Sequence, residues 1–183
     1  MARTSILLAA CLGFGLTQAV EAAEHCRTMS GAQAYQSQSI CVSSVLPPQA
    51  GNRYDVRSLT DFNIATAWCE GVAGPGVGEA VTLRYEFAAP VQAIRIRNGY
   101  GKSDRAYSRN GRLRDVRISV SSETDGALRE MTHRLLDHSW EQVIALPWQV
   151  DRPARITLTI LSVYPGTHYQ DTCITELWAD FGM

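Results

Sequence analysis

Apolar and polar residues alternate along much of this chain instead of recurring at a helical period. Val81–Phe87, VTLRYEF, puts Val81, Leu83, Tyr85 and Phe87 on one face with Thr, Arg and Glu between them. That period of two is the pattern of a half-buried strand. It returns at Ile94 and Ile96, at Val116, Ile118 and Val120, and at Ile156, Leu158 and Ile160. The run Cys173–Phe181 sets Cys173, Leu177, Ala179 and Phe181 on one side. Shorter strands are expected near Ile40–Leu46, Met131–Leu136 and Gln142–Leu146, the last ending before Pro147. Gly, Pro, Asn and Asp turns separate these segments, and no long amphipathic helix can be drawn. The pattern predicts an all-β antiparallel sandwich or barrel, without solenoid or propeller repeats.

One stretch breaks the alternation. Asn98–Arg112, NGYGKSDRAYSRNGR, lies between the strand-like AIRIR and LRDVRISV and has neither period. An Asn-Gly pair near each end predicts turns, because both residues tolerate positive φ. Between them stand Tyr100, Tyr107, several arginines and Lys102, the only lysine of the chain. A long polar and aromatic loop held by two strands is where binding function tends to sit.

The ends and the cysteines bound the setting. Arg3, an apolar run from Ile6 to about Leu16 and the small-residue site Val20-Glu21-Ala22 predict a secretory signal peptide over 1–22, with cleavage after Ala23 as the alternative. Leu8-Ala9-Ala10-Cys11 matches a lipoprotein box only superficially, since too few apolar residues precede it. No other segment approaches membrane-spanning length. Residues 23–50, rich in Ser, Gln and Gly and containing Pro47-Pro48, read as an irregular N-terminal arm, and residues 51–183 as the β domain. Four cysteines remain after cleavage, Cys26, Cys41, Cys69 and Cys173. An even number in an exported chain points to disulfides, with three connectivities open, and the absence of a CxxC or a close Cys/His set speaks against zinc.

Charge changes the picture only locally. The formal net charge is −1, which favours neither nucleic acid nor membrane as partner. From Arg95 to Arg117, however, eight basic residues face only Asp104 and Asp115. Arg95, Arg97, Arg114 and Arg117 read as solvent-facing strand positions, whereas those in the loop are free to meet an anionic ligand.

Catalytic patterns are wanting. His25, His133, His138 and His168 stand in no arrangement with a nucleophile, and there is no G-x-S-x-G, H-E-x-x-H or P-loop. Gly71–Glu79, GVAGPGVGE, reads as a loop with unusual backbone angles, not a phosphate cradle. Glu70 with Glu79 could serve a glycosidase only at a suitable separation. Asp61, Asn63 and Thr66 offer hard oxygens of the kind Ca²⁺ accepts, but on spacing alone a self-bonded Asx/ST turn comes first.

Several motifs in fixed order resemble one family. They are Thr66-Ala67-Trp68-Cys69-Glu70-Gly71, Gly76-Val77-Gly78-Glu79, and Asn98-Gly99-Tyr100 with Lys102, Tyr107, Asn110 and Arg112. Val163-Tyr164-Pro165-Gly166 and Tyr169-Gln170-Asp171-Thr172-Cys173-Ile174 with Glu176 complete the set, which spans roughly Asp61 to Trp178. The chain resembles the NAD glycohydrolase translocation-domain family, NADase-type glycan-binding domains of discoidin-like, galactose-binding-like fold. The resemblance implies an antiparallel jelly-roll β-sandwich of about eight strands, a lectin-like role and no catalysis. No NADase domain is expected within the chain. It also implies a structural Ca²⁺ held by a D-x-N-x-x-T-x-W loop and a last-strand glutamate, matched here by Asp61, Asn63, Thr66 and Glu176. Phe62 stands where such modules have glycine, and His168 where this family has lysine. Cys69 and Cys173 are brought together by the family fold, and Cys26 and Cys41, local in the arm, are expected to bond each other.

The expected function is a secreted or periplasmic carbohydrate-binding module whose partner is a glycan or cell-envelope polysaccharide. Its site is expected on the loops 98–112 and 164–171. The contacts would come from Trp68, Glu70, Asn98, Tyr100, Lys102, Tyr107, Asn110, Arg112, Tyr164, His168, Tyr169 and Asp171, with tyrosines stacking and the polar groups hydrogen-bonding. The alternative is a protein-binding or envelope-assembly module that presents the same surface to another exported protein. A glycan-cleaving enzyme is the third class.

Overall fold

The computed structural model describes residues 25–182 except 87, 123, 125, 151 and 152, with only the backbone at 149, 150, 153 and 154. The expected signal peptide and Phe87 lie outside the described residues. Ten strands form among those described: β1 (His25–Ala32), β2 (Tyr35–Val42), β3 (Trp68–Cys69), β4 (Ala80–Glu86), β5 (Val91–Asn98), β6 (Arg112–Ser122), β7 (Leu128–Arg134), β8 (Glu141–Val150), β9 (Pro153–Tyr164) and β10 (Cys173–Asp180). They pair antiparallel as a six-stranded sheet, β1-β2-β4-β9-β6-β7, and a four-stranded sheet, β3-β10-β5-β8. The all-β sandwich expected from the alternation is therefore what the chain forms.

The inward faces meet in one core. Val81, Leu83, Val116, Ile118, Ile156 and Leu158 of one sheet pack with Ile94, Ile96, Ile144 and Leu177 of the other. Burying each such side chain is worth about 1.5–3 kcal/mol. Together they outweigh any single polar contact and fix which face of each strand looks inward.

Three expectations are corrected. The arm over 23–50 is not irregular: residues 25–42 form the hairpin β1–β2, and β2 pairs β4. The strand expected near Ile40–Leu46 is β2, which ends at Val42. β8 does not stop before Pro147 but runs to Val150. A proline is tolerated there because β8 is the margin of its sheet, beside a register shift against β5.

The stretch between β5 and β6 holds a short helix, α1 (Asp104–Arg109), where no periodicity predicted one. Ser103 caps it, its hydroxyl accepting from Ala106 N at 3.1 Å. Of the two Asn-Gly pairs only Asn98-Gly99 uses positive φ, with Gly99 at 74°. Gly111 serves close approach instead, since a Cβ there would stand 2.6 Å from Thr172 Oγ1. The glycine-rich loop reads as expected, with Gly74, Gly76 and Gly78 all at positive φ.

Candidate functional site

At one end of the sandwich, three segments enclose a cleft of about 350 Å³. Its floor is a small second core of Ala67, Cys69, Tyr100 and Cys173, with Leu46, Tyr54 and Ala106 packed against it. The disulfide Cys69–Cys173 lies within that floor and ties β3 to β10. The other bridge is Cys26–Cys41, so both expected pairings are present.

One wall is the turn Gln49–Asn52, closed by Gln49 N to Asn52 O (3.2 Å) and Asn52 N to Gln49 O (2.8 Å). Ala50 and Gly51 stand at φ 48° and 78°, the left-handed pair that such a two-residue turn requires. The turn aims Asn52 Oδ1 into the cleft, where it accepts from Lys102 Nζ at 2.9 Å and lies 3.3 Å from Tyr100 OH. The second wall is Lys102 with α1, which contributes Arg105 and Arg109. Tyr169 and Asp171 complete the lining. Tyr169 is 42% exposed, and the Arg109 guanidinium lies 5.0 Å from its ring centroid while Nη2 donates to its hydroxyl at 3.1 Å.

The residues expected at the site divide into two groups. Tyr100, Lys102, Asn110, Tyr169 and Asp171 line the cleft. Tyr100 does so as floor: it is only 5% exposed, packs edge-on to Tyr54, and its hydroxyl donates to Ala65 O at 3.2 Å, leaving little stacking face. Trp68, Glu70, Asn98 and Arg112 are buried, stand outside the cleft lining and brace the loops. Trp68 Nε1 donates to Ser44 O (2.9 Å). Glu70 accepts from Thr172 N (3.0 Å) and Val72 N (2.9 Å), and its burial pushes the carboxyl pKa up. Asn98 bonds both the N–H and the C=O of Leu113.

Arg112 is a hub. It forks onto Asp137 with Nε at 3.0 Å and Nη2 at 2.7 Å, and Nη1 donates to Asn110 O and Pro165 O. The guanidinium holds the Asp137 carboxyl below the usual carboxylate range. Tyr107 joins this hub, donating to Asp137 at 3.0 Å beneath Arg112. Tyr164 donates to Leu135 O (3.0 Å), and His168 is exposed beside Tyr169 with its ring edge-on. Neither lines the cleft.

Asn52 and Tyr54 lie just past the presumed arm, in a stretch with neither alternation nor a motif, and Ala50-Gly51 is a weak turn signal, so nothing local in the sequence marks them. Arg105 and Arg109 are legible as loop cations, but not as members of the site.

The D-x-N-x-x-T loop lies elsewhere, against β10. Asp61 Oδ1 accepts from Asn63 N (3.0 Å), Thr66 Oγ1 donates to Asp61 Oδ2 (2.8 Å), and Asn63 Oδ1 accepts from Ala65 N (3.0 Å). The Asn63 side chain is thus engaged in an Asx turn. Phe62, at the position usual for glycine, adopts φ 54°. Glu176 faces this loop from β10. It is 1% exposed, and neither carboxylate oxygen makes a well-formed hydrogen bond, although the backbone N–H groups of Phe62 and Asn63 lie near enough to favour its charged form. Burial, then the charge of Asp61, push its pKa up to about 7. Among the described residues no three His, Cys, Asp or Glu side chains gather. Even so, a buried carboxylate without a well-formed hydrogen bond, close to the Asp61 carboxylate, is a pair of hard oxygen donors that fits a hard cation.

Residues 33–180 match the family model described as the NAD glycohydrolase translocation F5/8 type C domain. The chain belongs to that family. Among curated proteins none matches it. F5/8 type C sandwiches of known structure share its fold. The family 32 carbohydrate-binding module of Clostridium perfringens NanJ, solved with galactose, superposes with TM-score 0.56 at 16% identity, covering 78% of this chain and 92% of that one. The family 32 module of Streptococcus pneumoniae EndoD gives 0.56 at 12% identity, covering 77% and 94%. An F5/8 type C domain from Bacteroides fragilis gives 0.55 at 18%, covering 78% and 89%. The family and its fold agree with the resemblance read from the motifs.

Proposed function

We propose that this F5/8 type C domain is a non-catalytic carbohydrate-binding module and that the cleft over the Cys69–Cys173 disulfide is its binding site. The observation that carries this reading is the cleft itself. An exposed tyrosine ring, an ammonium, guanidinium groups, an amide and a carboxylate converge on a space of about 350 Å³, the size and mixture that holds a sugar. The fold shared with family 32 modules supports it. Glu70 and Glu79 lie outside the cleft lining, and Glu79 accepts from Ser43 and Ser44 while Glu70 is held by backbone N–H groups. That engagement favours binding over turnover. The two disulfides support a secreted or periplasmic setting, with a glycan or cell-envelope polysaccharide as partner.

We also propose a structural Ca²⁺ held by Asp61, Thr66 and Glu176 with loop carbonyls, pinning the loop to β10. The buried Glu176 carboxylate, without a well-formed hydrogen bond and raised in pKa by burial and by Asp61, supports it.

A glycan array probed with the chain, with and without Ca²⁺, tests the function. On the best glycan, Lys102→Ala is expected to lose about 1–3 kcal/mol of binding, the range for a hydrogen bond to a charged group. Its melting temperature stays near that of the wild type, because an exposed lysine supports little of the core. Tyr169→Ala should weaken binding through the lost stacking face. Wild-type binding by both variants would show that the cleft is not the site, and capture of a protein without any sugar competition would favour the protein-binding alternative.

A further inference from the structure

We infer that the ligand of this cleft is a carboxylated glycan, a chain bearing uronic-acid residues, and not a neutral sugar. The inference rests on the carbohydrate-binding reading of the cleft and narrows it.

The charge of the lining points this way. Lys102, Arg105 and Arg109 line one cleft, and Asp171 is the only acid among its lining residues. None of the three cations makes an ion pair among the described residues. Elsewhere Arg95 pairs with Glu141 and Asp180, Arg112 with Asp137, and Arg114 and Arg134 with Asp115. Single unpaired arginines occur on other parts of the surface; these three are set apart by converging on one concave space. In a chain of net charge −1 the convergence is not a by-product of a basic composition. Three cations around a cleft with low-dielectric walls raise each other's electrostatic free energy, and an anion relieves it.

The geometry of Arg109 narrows the anion. Its guanidinium is fixed over the Tyr169 ring by stacking and by the bond from Nη2 to the phenolic oxygen. Nε is buried and closed to a ligand, so the Nη1–Nη2 edge of this preorganised planar group is what remains to face the cleft. A carboxylate is the planar acceptor that matches such a fork. Lys102, steered by Asn52 Oδ1, supplies a point charge beside it. Asp171 and Asn110 complete a mixed lining. A carboxylate beside three cations repels a densely anionic group such as a phosphate cluster but accepts hydrogen bonds from sugar hydroxyls. The ligand therefore carries hydroxyls and an isolated carboxylate on the same ring.

Titration calorimetry with matched probes tests this. The probes are oligomers of galacturonic, glucuronic and mannuronic acid, each beside its carboxyl-reduced neutral counterpart, at low and at physiological salt. At least one carboxylated member should bind ten-fold or more tighter than its neutral twin. Salt should narrow that gap, and Arg109→Gln should abolish it while melting like the wild type. Equal binding within every pair, with Lys102→Ala still harmful, would overturn the inference and leave the sugar site standing. Affinity that merely follows charge density, extends equally to a sulfated polymer and is indifferent to Arg109→Gln would also overturn it. Failure of every sugar, here and on the array, would remove the site reading itself.

Discussion

The turn that makes one wall of the cleft holds an alanine at φ 48°, where a Cβ crowds the following carbonyl oxygen at a cost of about 1–2 kcal/mol. Asn tolerates that conformation, and Asn-Gly is the favoured centre of such a turn. Ala50→Asn should therefore raise stability by about 0.5–1 kcal/mol, seen as a higher denaturant midpoint at unchanged slope. A lower midpoint would mean that the cleft wall needs the smaller side chain. The same scale shows what could be read in advance. The motif residues Asn98, Tyr107 and Arg112 were recognisable as important, but their partners were not. A buried amide that bonds the backbone of Leu113 and one that bonds a sugar look alike in a sequence. The carboxylate that claims Arg112, Asp137, lies 25 residues further along and belongs to no motif. Tyr100 misled in the same way, since nothing local says whether a tyrosine offers its face or lies beneath a floor.

Among the elements, β3 is the least self-sufficient. Two residues pair it with β10, at Cys173↔Cys69 and Ile174↔Trp68, and the disulfide makes up for the short ladder. The bridge spans a sequence separation of 104, and loops of that length are worth up to about 4.7 kcal/mol in the chain-entropy model. Replacing both Cys69 and Cys173 by Ser should cost about 2–5 kcal/mol in chemical denaturation and weaken ligand binding as well, because the bridge lies in the cleft floor. A loss of stability without a loss of binding would separate the floor from the site. Strands whose inward face is apolar at every second position were legible, as β4, β6 and β9 show. The hairpin β1–β2 was not, because Ser, Thr and Gln occupy both its faces over most of its length and only Ile40 and Val42 mark the buried end. Helix α1, at six residues, is too short to display a period of 3.6.

For the molecule as a whole, the proposed cation site couples stability to pH. Without metal, the Glu176 pKa stands at about 7 in the folded protein against an ordinary 4.5. The native state keeps a proton that the unfolded chain has already released. Stability should therefore fall as pH rises from about 4.5 to about 7, by up to about 1.4 kcal/mol per pH unit, and level off above. Ca²⁺ binds the ionised carboxylate, so it should flatten this slope and raise the melting temperature at neutral pH, and EDTA should reverse both. Melts indifferent to Ca²⁺ and EDTA would leave the loop as a hydrogen-bonded turn and nothing more. The remaining bridge, Cys26–Cys41, joins directly opposed residues of the outermost hairpin. β1 is one margin of the six-stranded sheet, and apart from Met29, which packs against the core, its mostly polar faces give little hydrophobic reason to keep one register. With the sulfurs joined, the strand can neither slip nor lift away. Once they are reduced, it can pair with the margin of a neighbouring copy, so this bridge acts chiefly as a lock against strand exchange and the aggregation that follows from it.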